Sequence, residues 1–358
     1  MVVLYIDMII IMIVIIIAGG SGTRLWPLST PGYPKHLLRV NGSKSSLLQF
    51  TYERAKRLTD KIYVVSEVGH IAHVKEQLKD LPDSAFIVEP ERRGTANCIV
   101  AALAYIGKHH DKDEPIASIH ADHYIRDNKG FQHTFTIAAQ TTSKEKRIVL
   151  VGVEPDYPAT GFGYIKKGEL LSEEPYVYNV DSFKEKPGYE SAVAYYKSGE
   201  YLWNCGYFVG SFNTFTSSMK NYAPKLYNNY QLLEKATPET YQKTYVNFEN
   251  EAIDYALIEK VPSLLVTPAS FDWMDLGSYG DLHKAVGSDL NGNHIHGDVE
   301  IEDVENAFIQ NFEDKPLAVI GLDNVAVINT EEGILVTRKD LAQKVGDIAK
   351  RVAARKDK

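Results

Sequence analysis

Cysteine is nearly absent: Cys98 and Cys205 are the only two in 358 residues. That excludes a disulfide framework, and a reducing, cytoplasmic setting is expected. Positive charge is in deficit, with 39 Lys and Arg against 47 Asp and Glu and a net charge of -8. A general nucleic-acid surface is therefore not expected, although a local basic pocket can sit in an acidic protein. Two familiar phosphate loops are missing. Gly22 is followed by Thr23-Arg24 rather than Lys-Ser/Thr, so there is no P-loop. Leu25 stands where the dinucleotide fingerprint needs its third glycine, and Val40 where it needs an acid, which argues against a nicotinamide dehydrogenase. A clean membrane signal is also wanting. Residues 1–17 are mostly apolar, but Asp7 interrupts them, no Lys or Arg precedes it, and the second half is needed as a strand. Residues 1–11 are read as an upstream extension, with Met8 or Met12 the natural start, and no membrane partner is expected.

What is present centres on residues 12–40. The apolar run Ile13 to Ile17 suits a buried parallel strand. It breaks into Ala18-Gly19-Gly20-Ser21-Gly22, where glycines remove the side chains that would keep a ligand from the backbone. Arg24 follows, then a loop shaped by Pro27, Pro31 and Pro34, then Lys35. Exposed N–H groups beside a guanidinium and an ammonium describe a polyphosphate cradle.

Helices are expected over residues 46–58, 70–81, about 95–108 (Thr95 as cap) and 131–142. Strands are expected over 62–66, 85–89, 116–120 and 148–153. This alternation predicts an α/β fold, a doubly wound and mostly parallel sheet with ligands at the strand carboxyl ends, where Gly19, Glu89 and Asp122 fall. Residues 157–211 read as a lid-like insertion of short strands, and 213–260 as helices rich in tyrosine. The composition shifts again at Ser288 to Asn293, and short β pieces with Asp, Asn and Gly turns follow. The expected division is residues 12–288 for catalysis and 289–358 for a small β-rich domain closed by a helix. His70 with His73, and His294 with His296 in a turn, each lack a third ligand and read as surface pairs rather than zinc sites.

Asp122, just past a buried strand, is placed to hold a divalent cation against phosphate oxygens, with Asp275 as a second ligand. Taken alone, Asp122 reads equally well as a turn-forming aspartate. Pro187 biases Lys186 toward extended backbone, which would aim its ammonium into a cleft; a solvated surface lysine is the plainer reading.

Together these residues form a pattern. Gly19-Gly20-x-Gly22-x-Arg24-Leu-x-Pro27-Leu with Pro34-Lys35 resembles the signature of the sugar-1-phosphate nucleotidylyltransferases. Trp26, Glu89-Pro90-x-x-Arg93-x-Thr95-Ala96, Ala121-Asp122-His123, Glu185-Lys186-Pro187, Trp203-Asn204-x-Gly206 and Phe271-x-Trp273-x-Asp275-x-Gly277-Ser278 resemble the mannose-1-phosphate guanylyltransferase branch. The segment 297–340 is similar to that branch's C-terminal unit, which implies a left-handed β-helix. The chain departs from the branch at His36 (commonly Gln), Gly94 (Asn), Asn97 (Pro) and Tyr279 (Trp). No isomerase-like domain follows, so a bifunctional form is not expected.

The resemblance implies GMP transfer from GTP to mannose 1-phosphate with Mg²⁺. It implies phosphate contacts from Arg24, Lys35 and Lys186 and metal ligation by Asp122 and Asp275. Nucleotide contacts would come from Gly19, Gly20, Ser21, Gly22, Thr23, Glu89, Gly94 and Thr95, with Glu89 accepting from guanine. Sugar contacts would come from Gly161, Glu185 and Asn204. A homodimer is implied through the β tail. Another base or hexose 1-phosphate, or a non-catalytic sugar-nucleotide sensor, would use the same framework.

Overall fold

The computed structural model describes residues 12–20, 22–40 and 43–356. The expected extension at residues 1–11 and the expected nucleotide contact Ser21 lie outside them.

Strand β1 (Ile13–Ala18) is buried along its whole length. A run apolar on both faces can only sit in the middle of a covered sheet. It pairs in parallel with β2 (Ile62–Glu67) and, on its other side, with β4 (Pro115–His120), while β3 (Phe86–Glu89) extends the parallel set beyond β2. Its side chains alternate between two cores: Ile13, Ile15 and Ile17 join one, Val14, Ile16 and Ala18 the other.

The sheet is mixed rather than mostly parallel. Its order is β3-β2-β1-β4-β8-β5-β9-β7-β6, with β5 at Val149–Val153, β6 at Gly163–Glu173, β7 at Tyr176–Lys184, β8 at Tyr201–Ser211 and β9 at Leu265–Pro268. β8 runs antiparallel to both β4 and β5, and β7 runs antiparallel to β6 and β9. The segment expected to form a lid is thus largely part of the sheet, and β8 is central to it. Leu202 and Phe208 enter one core, and Trp203, Cys205, Tyr207 and Val209 the other. Burial at about 2 kcal/mol per large apolar side chain favours keeping this aromatic strand inside.

Helices α1 (Leu47–Ala55), α2 (Ile71–Gln77), α3 (Gly94–Ile106) and α4 (Asn128–Glu145) cross over between the early strands. Ser46 and Gln49 form a reciprocal cap on α1. α2 is shorter than expected, and His70 precedes it, buried, with Nε2 2.7 Å from the Pro31 carbonyl. α3 begins at Gly94, so Thr95 is inside the helix rather than its cap. Then come α5 (Tyr189–Ser198), α6 (Phe212–Tyr222), α7 (Pro224–Lys235), α8 (Pro238–Tyr245), α9 (Ile253–Ala256) and α10 (Tyr279–Ala285).

The C-terminal unit is a stacked β-coil. β10 (His294–His296), β12 (Phe308–Asn311) and β14 (Val325–Thr330) pair in parallel, as do β11 (Val299–Glu302) and β13 (Leu317–Ile320). β15 (Gly333–Arg338) returns antiparallel on β14. His294 and His296 are therefore strand residues, not turn residues. Asn329 donates to Asn311, which donates in turn to the Asp298 and Lys315 carbonyls, tying the coils at their corner. A 3-10 turn (Lys339–Lys344) leads into α11 (Val345–Lys356), which packs on the turn Thr23–Leu25 after β1. Leu25, Tyr279, Phe308, Leu335 and Val345 share one core, so the two units are fused rather than tethered. Among the described residues, both cysteines are buried and free, and no helix is long and apolar enough to cross a membrane.

Candidate active site

The loop after β1 is built around glycines with left-handed backbone. Gly20 has φ +119° and Gly22 φ +56°. A Cβ on Gly22 would lie 2.6 Å from the Lys35 backbone nitrogen, so the two arms of the loop meet there only because that residue has no side chain. The Ser29 hydroxyl donates to the Gly22 carbonyl and closes the turn. Gly19, Gly20, Thr23, Arg24, Asp122 and Arg92 line the resulting cleft of about 300 Å³. Arg92 was not anticipated; it stands one residue before the Arg93 of the motif. Arg93 itself is bound to Glu91 and the Val246 carbonyl.

Lys35 departs most from expectation. It is 5% exposed, and its ammonium is 2.9 Å from Asp122 Oδ2 and 2.9 Å from Asp275 Oδ1, and also donates to the Asp275 carbonyl. It therefore bridges two carboxylates instead of standing free for a phosphate. Burial alone would pull the Lys35 ammonium down, but the two aspartates more than offset it and hold it above its ordinary value. Burial likewise pushes Asp122 up, and Lys35 with His123 and His120 reverses this, leaving the carboxyl well below the usual range. Asp275 is lowered in the same way, Lys35 outweighing burial and the neighbouring Asp122 charge. Burial holds His123 down to about 3, so it is neutral, with Nδ1 2.9 Å from the Tyr207 hydroxyl.

The two carboxylates arrive from chain segments far apart in sequence: Asp122 just past β4, Asp275 from the loop before α10. Both remain partly open, 28% and 21% by side chain. Hard oxygen donors converging on one cationic point, beside a glycine loop, suit Mg²⁺, which takes one or two carboxylates and fills its other positions with water and phosphate. Among the described residues no group of three or more His, Cys, Asp or Glu is arranged for a metal, so an all-protein cage is not what this pair belongs to.

A second cleft of about 670 Å³ opens beside the first. Gly161, Glu185, Lys186, Asn204 and Asp275 line it, and Arg24, His120 and Gly277 line both clefts. A Cβ on Gly277 would lie 3.1 Å from Arg24 Nη1, so that glycine gives the guanidinium its space. Lys186 reaches the cleft by an unexpected route: its φ is +45°, left-handed and not extended. The step beyond β7 turns the chain there, and the ammonium lies 2.8 Å from Glu185 Oε1. The other Glu185 oxygen is buried without a partner. Burial, with Asp254 nearby, raises the Glu185 carboxyl against the opposing pull of Lys186. Asn204 donates to Asp254 Oδ1 at 2.7 Å, and its own oxygen accepts from the Gly206 amide. Asp254, Asp281 and Gln343 also line this cleft and were not singled out from the sequence, since each sits in a stretch without motif.

Two expected nucleotide residues, Gly94 and Thr95, are engaged in the fold, together with Asn97. A Cβ on Gly94 would lie 2.1 Å from the Glu251 carbonyl oxygen, so this glycine admits the chain at 250–251. Thr95 accepts from the Ile253 amide at 2.9 Å, and Asn97 donates to the Arg93 and Glu249 carbonyls. These residues pin one segment of the fold. Glu89 is buried at the end of β3, bound by the Tyr245 hydroxyl, and burial raises it to about 7. Its Oε2 lies 4.0 Å from where a Cβ on Gly19 would be, directly behind the glycine loop.

Known proteins resemble this chain over most of its length. The family model for nucleotidyl transferases matches residues 13–292, and that for the mannose-phosphate isomerase/GMP-like β-helix domain matches residues 298–352. A mannose-1-phosphate guanylyltransferase of Escherichia coli is 34% identical over 349 residues, 94% of this chain and 75% of that protein. The alginate biosynthesis protein AlgA of Pseudomonas fluorescens is 35% identical over 345 residues, 93% of this chain and 70% of that protein. The solved structure of a protein described as a mannose-1-phosphate geranyltransferase, from Thermus thermophilus, superposes with a TM-score of 0.85. It is 26% identical and covers 96% of this chain and 99% of that one.

Proposed function

We propose a division of labour for the site of a chain that belongs to the mannose-1-phosphate guanylyltransferase family, a nucleotidyl transferase with a C-terminal β-helix-like domain. The reaction joins GTP and mannose 1-phosphate to give GDP-mannose and pyrophosphate. The observation that supports the division is the pair of clefts sharing Arg24, with Lys35 drawing Asp122 and Asp275 together at their junction.

The triphosphate lies along Gly19, Gly20 and Gly22, whose backbone is open to it, with Arg24 and Arg92 supplying charge. The sugar phosphate enters the second cleft, where Lys186 meets its phosphate and Glu185 and Asn204 meet its hydroxyls. The unpartnered Glu185 oxygen is an acceptor in want of such a donor. The sugar phosphate attacks the α-phosphorus in line, the bond to the β-phosphate breaks, and pyrophosphate leaves. No side-chain base is needed, because a phosphate monoester with a second pKa of about 6 is already mostly dianionic at neutral pH. Catalysis is positioning plus charge neutralisation. Arg24 meets the phosphate being transferred, a role supported by its lining both clefts. Lys35 acts as a positioning residue that keeps both aspartates ionised and aimed. Mg²⁺ held by Asp122 and Asp275 would neutralise charge on the reacting phosphates. Glu89 is proposed as the acceptor for guanine, supported by the bare backbone of Gly19 in front of it. A homodimer is proposed through the outer face of the β-coil, where Ile320, Ile334 and Val336 are exposed.

Pyrophosphate release with Mg²⁺ and mannose 1-phosphate, run separately with GTP, ATP, UTP and dTTP, tests this reading. Release with GTP alone is expected. Release with another nucleotide would overturn the Glu89 assignment, and binding of GTP without release for any sugar phosphate would make the protein a sensor.

A further inference from the structure

Every substrate contact above falls to the catalytic domain, yet one residue lining the second cleft comes from the other unit. Gln343, on the 3-10 turn between β15 and α11, lines the cleft together with Arg24 and Asp275. It is exposed there and its side chain makes no hydrogen bond among the described residues. The backbone that carries it is fixed, because Ala342 and Val345 on either side are buried in the core shared with Leu25 and Tyr279. Three residues on, a Cβ at Gly346 would lie 3.5 Å from Arg24 Cγ. The turn is thus held against the side chain that joins the two clefts. Gln343 does not reach the triphosphate cleft, whose walls come from the catalytic domain alone.

We propose that Gln343 is a substrate-binding residue that donates its amide N–H to the phosphate of the incoming sugar 1-phosphate, on the Arg24 side of the cleft. An amide suits this position. The cleft already carries Glu185, Asp254, Asp275 and Asp281, and a further carboxylate would repel the phosphate, whereas a neutral donor adds a contact without repulsion. The fixed backbone limits the order lost on binding to that of a single side chain. The C-terminal unit is in this way part of the catalytic apparatus.

The inference rests on the sugar-phosphate reading of the second cleft, and the wild-type enzyme assayed alongside keeps the two apart. Q343A is expected to raise KM for mannose 1-phosphate about tenfold, the scale of one hydrogen bond to a charged group, with KM for GTP unchanged. Q343E, equal in size and exposed, is expected to be worse than Q343A and to melt at the wild-type temperature. Wild-type constants in Q343A, or a Q343E that binds sugar phosphate as well as wild type, would overturn the proposal. A wild-type enzyme without turnover would overturn the reading beneath it.

Discussion

Lys35 shows how much one side chain can hold. Its ammonium separates two carboxylates that would otherwise face each other in a largely enclosed site. Removing one member of such a set leaves uncompensated charge and costs about 3 kcal/mol. K35M is therefore expected to melt well below wild type. Because Asp122 and Asp275 remain, Mg²⁺ should take the vacated place and restore part of the melting temperature, more than it raises that of the wild type. Thermal scans with and without Mg²⁺ check this. No recovery in the variant would mean that the carboxylates are a structural pair, not a metal pair. The sequence marked all three as candidate site residues. Their mutual arrangement was not legible, because Lys35 and Asp275 are 240 positions apart and meet only through packing.

At the scale of elements, the end of β3 meets α3 and α8. Glu89 there is pushed from 4.5 to about 7 by burial, with the Tyr245 hydroxyl pulling the other way. The native state consequently holds this proton more tightly than the unfolded chain does. Stability is fully present below about pH 4.5 and declines as pH rises toward 7, a total of about 3 kcal/mol from this one group. E89Q cannot titrate, so its stability should lack that decline and exceed wild type most at pH 8. Denaturant midpoints across this range decide it, and parallel curves for the two proteins would sink the claim. Guanine affinity should fall in the same variant, since Gln offers a donor where two donors arrive. The sequence placed Glu89 at a strand end, but the tyrosine that binds it lies 156 positions away, in a span read only as tyrosine-rich helices.

For the whole molecule, the β-coil matters on both its faces. The inner face braces the segment that follows the glycine loop: a Cβ on Gly333 would lie 2.8 Å from the Trp26 ring, so β15 approaches that ring through a residue without a side chain. The outer face exposes Ile334 and Val336 while Leu335 between them is buried, as strand alternation requires. Such apolar residues in a row suit a second copy of the chain. I334D, a surface change that costs little by itself, is expected to convert a dimer to monomers in light scattering. A wild-type protein that scatters as a monomer at every concentration would remove the proposal.

The sequence by itself determined the strand–loop–cation unit at residues 13–35, the alternation through β5 and the chemical kinds of the candidate site residues. Those follow from local periodicity, glycine conformational freedom and charge, each of which acts over a few residues. Tertiary structure alone decided that β8 runs antiparallel through the middle of the sheet, because strand direction depends on which neighbour a buried aromatic face can cover. It also decided that Lys35 serves two aspartates, that Gly94 and Thr95 hold a distant segment, and that Gln343 enters a cleft made by another domain. Each of these is a contact between segments well separated along the chain, set by how whole cores fit together and written in no local pattern.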